Sequence, residues 1–276
     1  MSTPWIQWSK RVVPLSVRQA LRLRFGWRWF VGDFASWAEA ASRTTGYGDP
    51  SILARVRVAT QDVREERAQF ERDGVAFANA VPEPDLLDCF SRIAGGTTMR
   101  PVRVVDFGGS LGSTWWRHRD ALRRLGAWQW CVVEQPSFVD LGRAEAQTDE
   151  LRFFHSIEEV LQAGAVDVMF SSTTLQYLAE PHAWLRRYAG AGIPWILLNN
   201  VPLHTSAADR IAIQRVPPSL GAASYPVWFF NRARLLAELE SAYALEREFA
   251  SEAVWPVDRA WYPSTGLLMR RKGVSP

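Results

Sequence analysis

From Val102 onward, short continuous apolar runs alternate with stretches of helical periodicity, and this pattern restricts the fold more than any other feature of the chain. The runs are 102–107 (VRVVDF), 128–134 (WQWCVVE), 151–154, 166–171 (VDVMFS) and 194–201 (PWILLNNV). Helices are predicted between them near 113–125, 137–147, 156–163, 181–189 and 231–241. Strands apolar on both faces and separated by helices belong to a parallel sheet covered on both sides. Two further strands, near 244–250 and 265–271, follow without an intervening helix and are expected to close the sheet as an antiparallel pair. The expectation is an α/β, doubly wound sheet.

The preceding residues have a different texture. Helices are expected over 34–43, 51–73 (Ile52, Val56, Ala59, Val63 and Phe70 at helical spacing) and 86–94, where Asp85 supplies the cap. Gly95-Gly96-Thr97-Thr98 reads as a linker. Residues 1–98 are thus expected to form a mostly helical region. The charge is unevenly placed: Lys10, Arg11, Arg18, Arg22, Arg24 and Arg28 fall in the first 32 residues with no acid, while the rest of the chain is slightly acidic. Trp5, Trp8, Phe25, Trp27, Trp29 and Phe30 share that segment. Such an arm can lie on an anionic membrane surface, or pack its tryptophans on its own domain or a partner subunit. No run reaches the length of a spanning helix, and no apolar core of a secretory signal follows Lys10-Arg11. Cys89 and Cys131 read as buried free thiols in a reducing cytoplasm. Neither a metal site nor a nucleic-acid motif is expected.

The chemistry concentrates at the strand ends. The first strand runs into Asp106-Phe107-Gly108-Gly109-Ser110-Leu111-Gly112-Ser113. Glycines here let the backbone turn tightly against a ligand, and the following helix presents free N–H groups. The spacing breaks the dinucleotide pattern G-x-G-x-x-G at its second glycine. Asp106 can bond a cationic amino group or cap the turn. Glu134, at the tip of the second strand, can accept from both hydroxyls of a ribose or stand as a solvated strand end. His155 follows the third strand, as a ligand contact or an exposed loop residue. The fourth leads into Ser171-Ser172-Thr173-Thr174-Leu175-Gln176-Tyr177-Leu178.

Gly32-Asp33-Phe34-x-Ser36-Trp37-x-x-Ala40, Gly46-Tyr47, Glu71-Arg72-Asp73, the 106–112 loop, Val133-Glu134-Gln135, Leu175-Gln176-Tyr177-Leu178 and Ser224-Tyr225-Pro226-x-Trp228-Phe229 together resemble a family of bacterial class I methyltransferases associated with surface-polysaccharide gene clusters. The resemblance runs nearly end to end. It implies a Rossmann-like, seven-stranded sheet with a terminal antiparallel strand, and S-adenosyl-L-methionine as methyl donor. The expected donor contacts are Asp106, Gly108, Gly109, Ser110, Gly112, Glu134, Gln135, His155, Ser171 and Gln176. The expected division is a helical cap and substrate region (1–98) and a donor-binding domain (99–276) with an insertion at 202–230. A sugar hydroxyl is a weak nucleophile that calls for a base. His204 is the candidate, with Asp209 orienting it or acting itself. Tyr47, Tyr177, Asn199, Asn200, Tyr225 and Trp228 are expected at the acceptor; the aromatics of 224–230 read equally as pins holding the insertion to the sheet. The function expected is O-methylation of a sugar or glycolipid intermediate in surface-polysaccharide biosynthesis, in the cytoplasm with peripheral contact at the inner membrane face. A non-catalytic binding protein of the same fold, or an NAD(P)-dependent oxidoreductase, are the alternatives.

Overall fold

The computed structural model describes residues 29–46, 50–72, 74–79, 82–96, 100–216, 223–258 and 260–273. The arginine–tryptophan arm up to residue 28, Tyr47 and Asp73 lie outside them. The strands are β1 (Phe30–Val31), β2 (Phe70–Arg72), β3 (Val75–Phe77), β4 (Val102–Phe107), β5 (Trp128–Val133), β6 (Leu151–Phe154), β7 (Val168–Ser172), β8 (Trp195–His204), β9 (Arg210–Arg215), β10 (Ser224–Asn231), β11 (Tyr243–Val257) and β12 (Ala260–Arg271).

Seven of them form a Rossmann-like, doubly wound sheet, in the order β6-β5-β4-β7-β8-β12-β11. The pairings among β4 to β8 are parallel, whereas β12 is antiparallel to both β8 and β11. Because successive side chains point to opposite faces, each strand feeds two cores. Val104, Trp130 and Val132 pack under the helices Pro84–Gly95 and Ser113–Leu125, with Phe90 touching Trp128, Trp130 and Phe170. Val105, Cys131, Val133, Ile196 and Leu198 pack on the other face, under the helices Ile157–Gln162, Pro181–Gly190 and Arg232–Ala237.

The sheet does not stop at seven strands. The 202–230 segment, expected as an insertion, supplies the end of β8, all of β9 and most of β10. These join β1 in the order β10-β9-β1-β11-β12-β8, and β10 pairs back onto β8 through Phe230↔Leu203 and Asn231↔His204. Six strands thereby close a ring at the carboxyl end of the parallel strands. Alternation explains its filling: Ala212, Val227, Phe229, Trp255 and Val257 turn inward with Phe30, while Ile211 and Ile213 turn outward onto Ala40 and Trp37. The segment after β1 is tied to β10 by hydrogen bonds of Thr45 and Gly46 with Ser224.

The N-terminal region departs from the expected helices. The helix begun at Pro50 ends at Arg64, where Arg67 and Ala68 both donate to the Asp62 carbonyl, and Phe70 lies on a β2–β3 hairpin instead. The hairpin reverses at Gly74, whose φ of +74° is a left-handed conformation that suits glycine. Phe70 and Phe77 stack across it at 4.7 Å, a cross-strand pair that helical spacing cannot provide. The helix expected over 137–147 also breaks, into Pro136–Leu141 and a π-helical turn Gly142–Ala146, with Gly142 pressed against Phe153.

Gly266 on β12 lies directly under the Phe249 ring, where a Cβ would overlap it. Gly266→Ala is expected to cost about 1–3 kcal/mol of stability through overpacking, read as a lower urea midpoint with an unchanged slope.

Candidate functional site

The turn after β4 is built on left-handed backbone. Gly108 has φ +74° and Ser110 φ +57°. A Cβ on Gly108 would collide with Thr174, and one on Gly109 with the Asp106 carboxylate, so both positions exclude any larger residue. Ser110 tolerates its conformation because its N–H donates to Glu134 Oε1 at 3.2 Å. Glu134 Oε2 accepts from the Gln135 N–H at 2.8 Å. One carboxylate thus latches the β4 turn to the β5 tip. Burial raises the Glu134 pKa, partly offset by these two bonds.

Asp106 sits beneath the turn, 1% exposed, and accepts a 2.7 Å hydrogen bond from Trp130 Nε1. Burial pushes its carboxyl up to about 7, against the Trp130 bond, and the Glu134 charge adds to the rise.

Across the crevice, Thr174 Oγ1 donates to the Ser172 carbonyl at 3.1 Å, and Thr173 has φ +60°. On β8, the stretch Leu198–Val201 faces the shorter stretch Thr265–Leu267, a bulge at Asn199-Asn200. Bulges re-aim side chains, and Asn200 takes φ +54°. Asn199 is fully engaged: its Nδ2 donates to Ser172 Oγ at 3.3 Å and its Oδ1 accepts from Ser251 Oγ at 2.8 Å. Three strained non-glycine residues, Ser110, Thr173 and Asn200, therefore stand at one edge of one sheet, and such strain clusters at functional sites.

These groups line one cavity of about 1440 Å³. Of the residues expected from sequence, Asp106, Gly108, Gly109, Ser110, Glu134, Gln135, His155, Tyr177, Asn199, Asn200 and Tyr225 border it. His155 accepts from Arg143 at 3.3 Å if its Nε2 is unprotonated. The cavity has two chemically distinct ends. Glu71, Arg72, Glu83 and Arg117 border the end over the helix Ser113–Leu125, where Ser113 donates to Glu71 and Arg117 pairs with Glu83 at 2.8 Å. Trp29, Trp37, Tyr177, Gln214, Tyr225 and Trp255 border the end under the strand ring. Tyr177 donates to Gln214 Oε1 at 2.6 Å and meets Tyr225 edge-on at 5.5 Å.

Other expected residues stand behind the wall. Gly112 caps the helix, and Ser171 donates to the Phe107 carbonyl at 3.2 Å. Gln176 is fully buried and donates to the Asn200 carbonyl. Trp228 donates to the Leu178 carbonyl and stacks on Trp37 at 6.0 Å, so it pins β10 to the sheet.

His204 and Asp209 require correction. Neither borders the cavity. Nδ1 of His204 accepts from the Ser206 N–H at 3.1 Å, and Nε2 donates to the Phe229 carbonyl at 3.0 Å, so both ring nitrogens are engaged by backbone. Asp209 does not orient His204; it binds His182 Nε2 at 2.8 Å, Arg234 at 2.9 Å and the Asn231 N–H at 2.7 Å. Burial alone would raise its pKa, but the bonds from His182 and Asn231 and the charges of His182 and Arg234 outweigh it and hold it low. Both residues fasten the strand ring.

Gln214 and Trp255 are bordering residues that sequence spacing did not single out, because the β9 and β11 stretches that carry them hold no motif. Among the described residues, no group of His, Cys, Asp and Glu gathers to hold a metal ion, and no helix is long and apolar enough to cross a membrane.

No protein-family model matches the chain, and no curated protein does. Solved structures similar to it include the N-terminal domain of EvdMO1 in the presence of SAH and D-fucose, at 19% identity and TM-score 0.44, covering 81% of this chain and 100% of that one. Magnesium protoporphyrin IX methyltransferase from Synechocystis PCC 6803 with bound SAM is 13% identical at TM-score 0.44, covering 83% and 100%. The glycopeptide N-methyltransferase MtfA complexed with SAM is 12% identical at TM-score 0.45, covering 66% and 92%.

A carboxyl that rises on folding favours the native state only where it is protonated. The Asp106 penalty therefore grows as pH rises from the unfolded value of 3.8 to the folded value of about 7. Asp106→Asn, which can still accept from Trp130, is expected to remove it. The stability gain over wild type should be larger at pH 8 than at pH 5 by about 2–3 kcal/mol, measured by urea denaturation without ligand.

Proposed function

We propose that the chain is an S-adenosyl-L-methionine-dependent methyltransferase that O-methylates a hydroxyl of a sugar or glycolipid intermediate in surface-polysaccharide biosynthesis. The observation that carries the donor assignment is the latch of Glu134 on the glycine turn, beside buried Asp106, at the carboxyl edge of β4 and β5. In open α/β sheets, ligands bind at this edge. The residues fit such a donor in kind: Glu134 faces the cavity as an acceptor for ribose hydroxyls, and Gly108 and Gly109 bring bare backbone to the ligand. His155 borders the side expected for the adenine edge.

The bound donor supplies an electrophilic methyl group on a cationic sulfur. The chain's part is to hold the acceptor oxygen in line with that carbon and to exclude water. The aromatic end, walled by Tyr177, Tyr225 and Trp255 next to Asn200, is suited to a sugar ring whose C–H faces lie on aromatic rings. The polysaccharide setting rests on the family resemblance, the cytoplasmic location on Cys89 and Cys131 as free thiols, and the inner-face contact on the cations and tryptophans of residues 1–30. The division at residues 98 and 99 is proposed in the same sense, with β1 and the 37–46 segment completing the acceptor end.

Calorimetry with S-adenosylhomocysteine and with NAD tests the donor assignment: saturable binding of the first alone is expected, and binding of NAD alone reverses it. Binding without turnover across a panel of glycosides and lipid-linked sugars would favour the non-catalytic reading. Glu134→Gln is expected to weaken S-adenosylhomocysteine binding by about 1–3 kcal/mol, as loss of a charge-assisted acceptor; unchanged affinity would remove Glu134 from the ribose.

A further inference from the structure

Asn200 differs from every other polar side chain on the acceptor wall. It is 5% exposed and borders the cavity, yet its Oδ1 is buried with no hydrogen-bond partner. Buried amides are normally satisfied, because an unmade hydrogen bond forfeits the group's hydration. Asn200 is held at φ +54° by the β8 bulge, its N–H donates to Ser251 Oγ at 3.3 Å and its carbonyl accepts from Gln176 Nε2 at 3.2 Å. The backbone is clamped on both sides while the side-chain oxygen has no partner. Its neighbour Asn199 has both ends of its carboxamide bonded, so the pair divides into one structural and one available amide.

We infer that Asn200 is the acceptor-binding residue of this site, and that it receives an uncharged, hydroxyl-bearing saturated ring. The inference deepens the methyltransferase reading and rests on it. A half-turn of the carboxamide exchanges its C=O and NH₂ ends, so it can accept from the hydroxyl to be methylated or donate to a neighbouring oxygen. Around it the wall offers aromatic faces at Tyr225 and Trp255 and neutral hydrogen-bonding groups at Tyr177 and Gln214. Of the ionised side chains that border the cavity, Glu71, Glu83 and Arg117 stand over the helix Ser113–Leu125 and are paired there, and Arg187 is paired with Glu158. A carboxylate or phosphate brought against the aromatic end would lose hydration without a counter-charge from those groups. A neutral sugar ring loses far less, and its hydroxyl supplies the partner that Asn200 lacks.

The test uses the full chain saturated with S-adenosylhomocysteine and two matched probes, methyl β-D-glucopyranoside and methyl β-D-glucopyranosiduronate, titrated by saturation-transfer NMR. The neutral glucoside is expected to bind saturably and the uronate at least about tenfold more weakly. The chosen variant is Asn200→Gly, because glycine accepts the left-handed backbone that larger residues strain. It is expected to weaken the glucoside about tenfold, leave S-adenosylhomocysteine affinity unchanged, and leave the thermal midpoint unchanged or higher, since an unsatisfied amide is removed. A lowered midpoint with intact glucoside binding would make Asn200 merely structural. Equal or tighter binding of the uronate, or no glucoside binding by a protein that binds S-adenosylhomocysteine, overturns the inference and leaves the donor assignment standing. Failure to bind S-adenosylhomocysteine overturns the donor assignment itself.

Discussion

The Glu134 carboxylate, shared between the N–H groups of Ser110 and Gln135, is the interaction on which the site depends. Without it, a non-glycine residue at φ +57° would have little to hold it. With it, the turn after β4 stays tight enough for Gly109 to lie on Asp106 and Gly108 to abut Thr174. Three strand ends, β4, β5 and β7, are thereby fixed relative to one another by one latch and two bare backbone positions. Asp106 is the cost of that arrangement. Its carboxyl is buried with one indole donor and is driven towards neutrality, a state that an incoming cation would reverse.

The parallel sheet was legible because its strands are buried on both faces and so read as unbroken apolar runs, VRVVDF and WQWCVV among them. The helix Ser113–Leu125 was legible because glycines bracket it. What was hidden depends on pairing over long separations. β1 is two residues long, and nothing in Phe30-Val31 announces that it pairs with β9 and β11. Phe70 shows the opposite failure. It fits a helical register with Val63, but the Gly74 reversal and the stack on Phe77 decide in favour of a hairpin.

The site divides in the same way. Asp106, the glycines and Glu134 follow one another along a single βαβ unit, so spacing alone locates them. His204 looked like a base because it follows the fifth parallel strand. It continues that strand instead and spends both nitrogens on Ser206 and Phe229. Which of two adjacent asparagines keeps an unpaired carboxamide oxygen depends on a bulge in β8, a register detail that composition does not carry.

The ring has one more consequence. Its union with the 37–46 segment runs through exposed Thr45 and half-buried Gly46 and Ser224, partners 178 or 179 residues apart. Contacts so distant along the chain form late in folding, and those near solvent exchange most readily with water. This edge of the aromatic chamber is therefore held by bonds that water can replace, whereas the strand ends beneath it are held by buried ones.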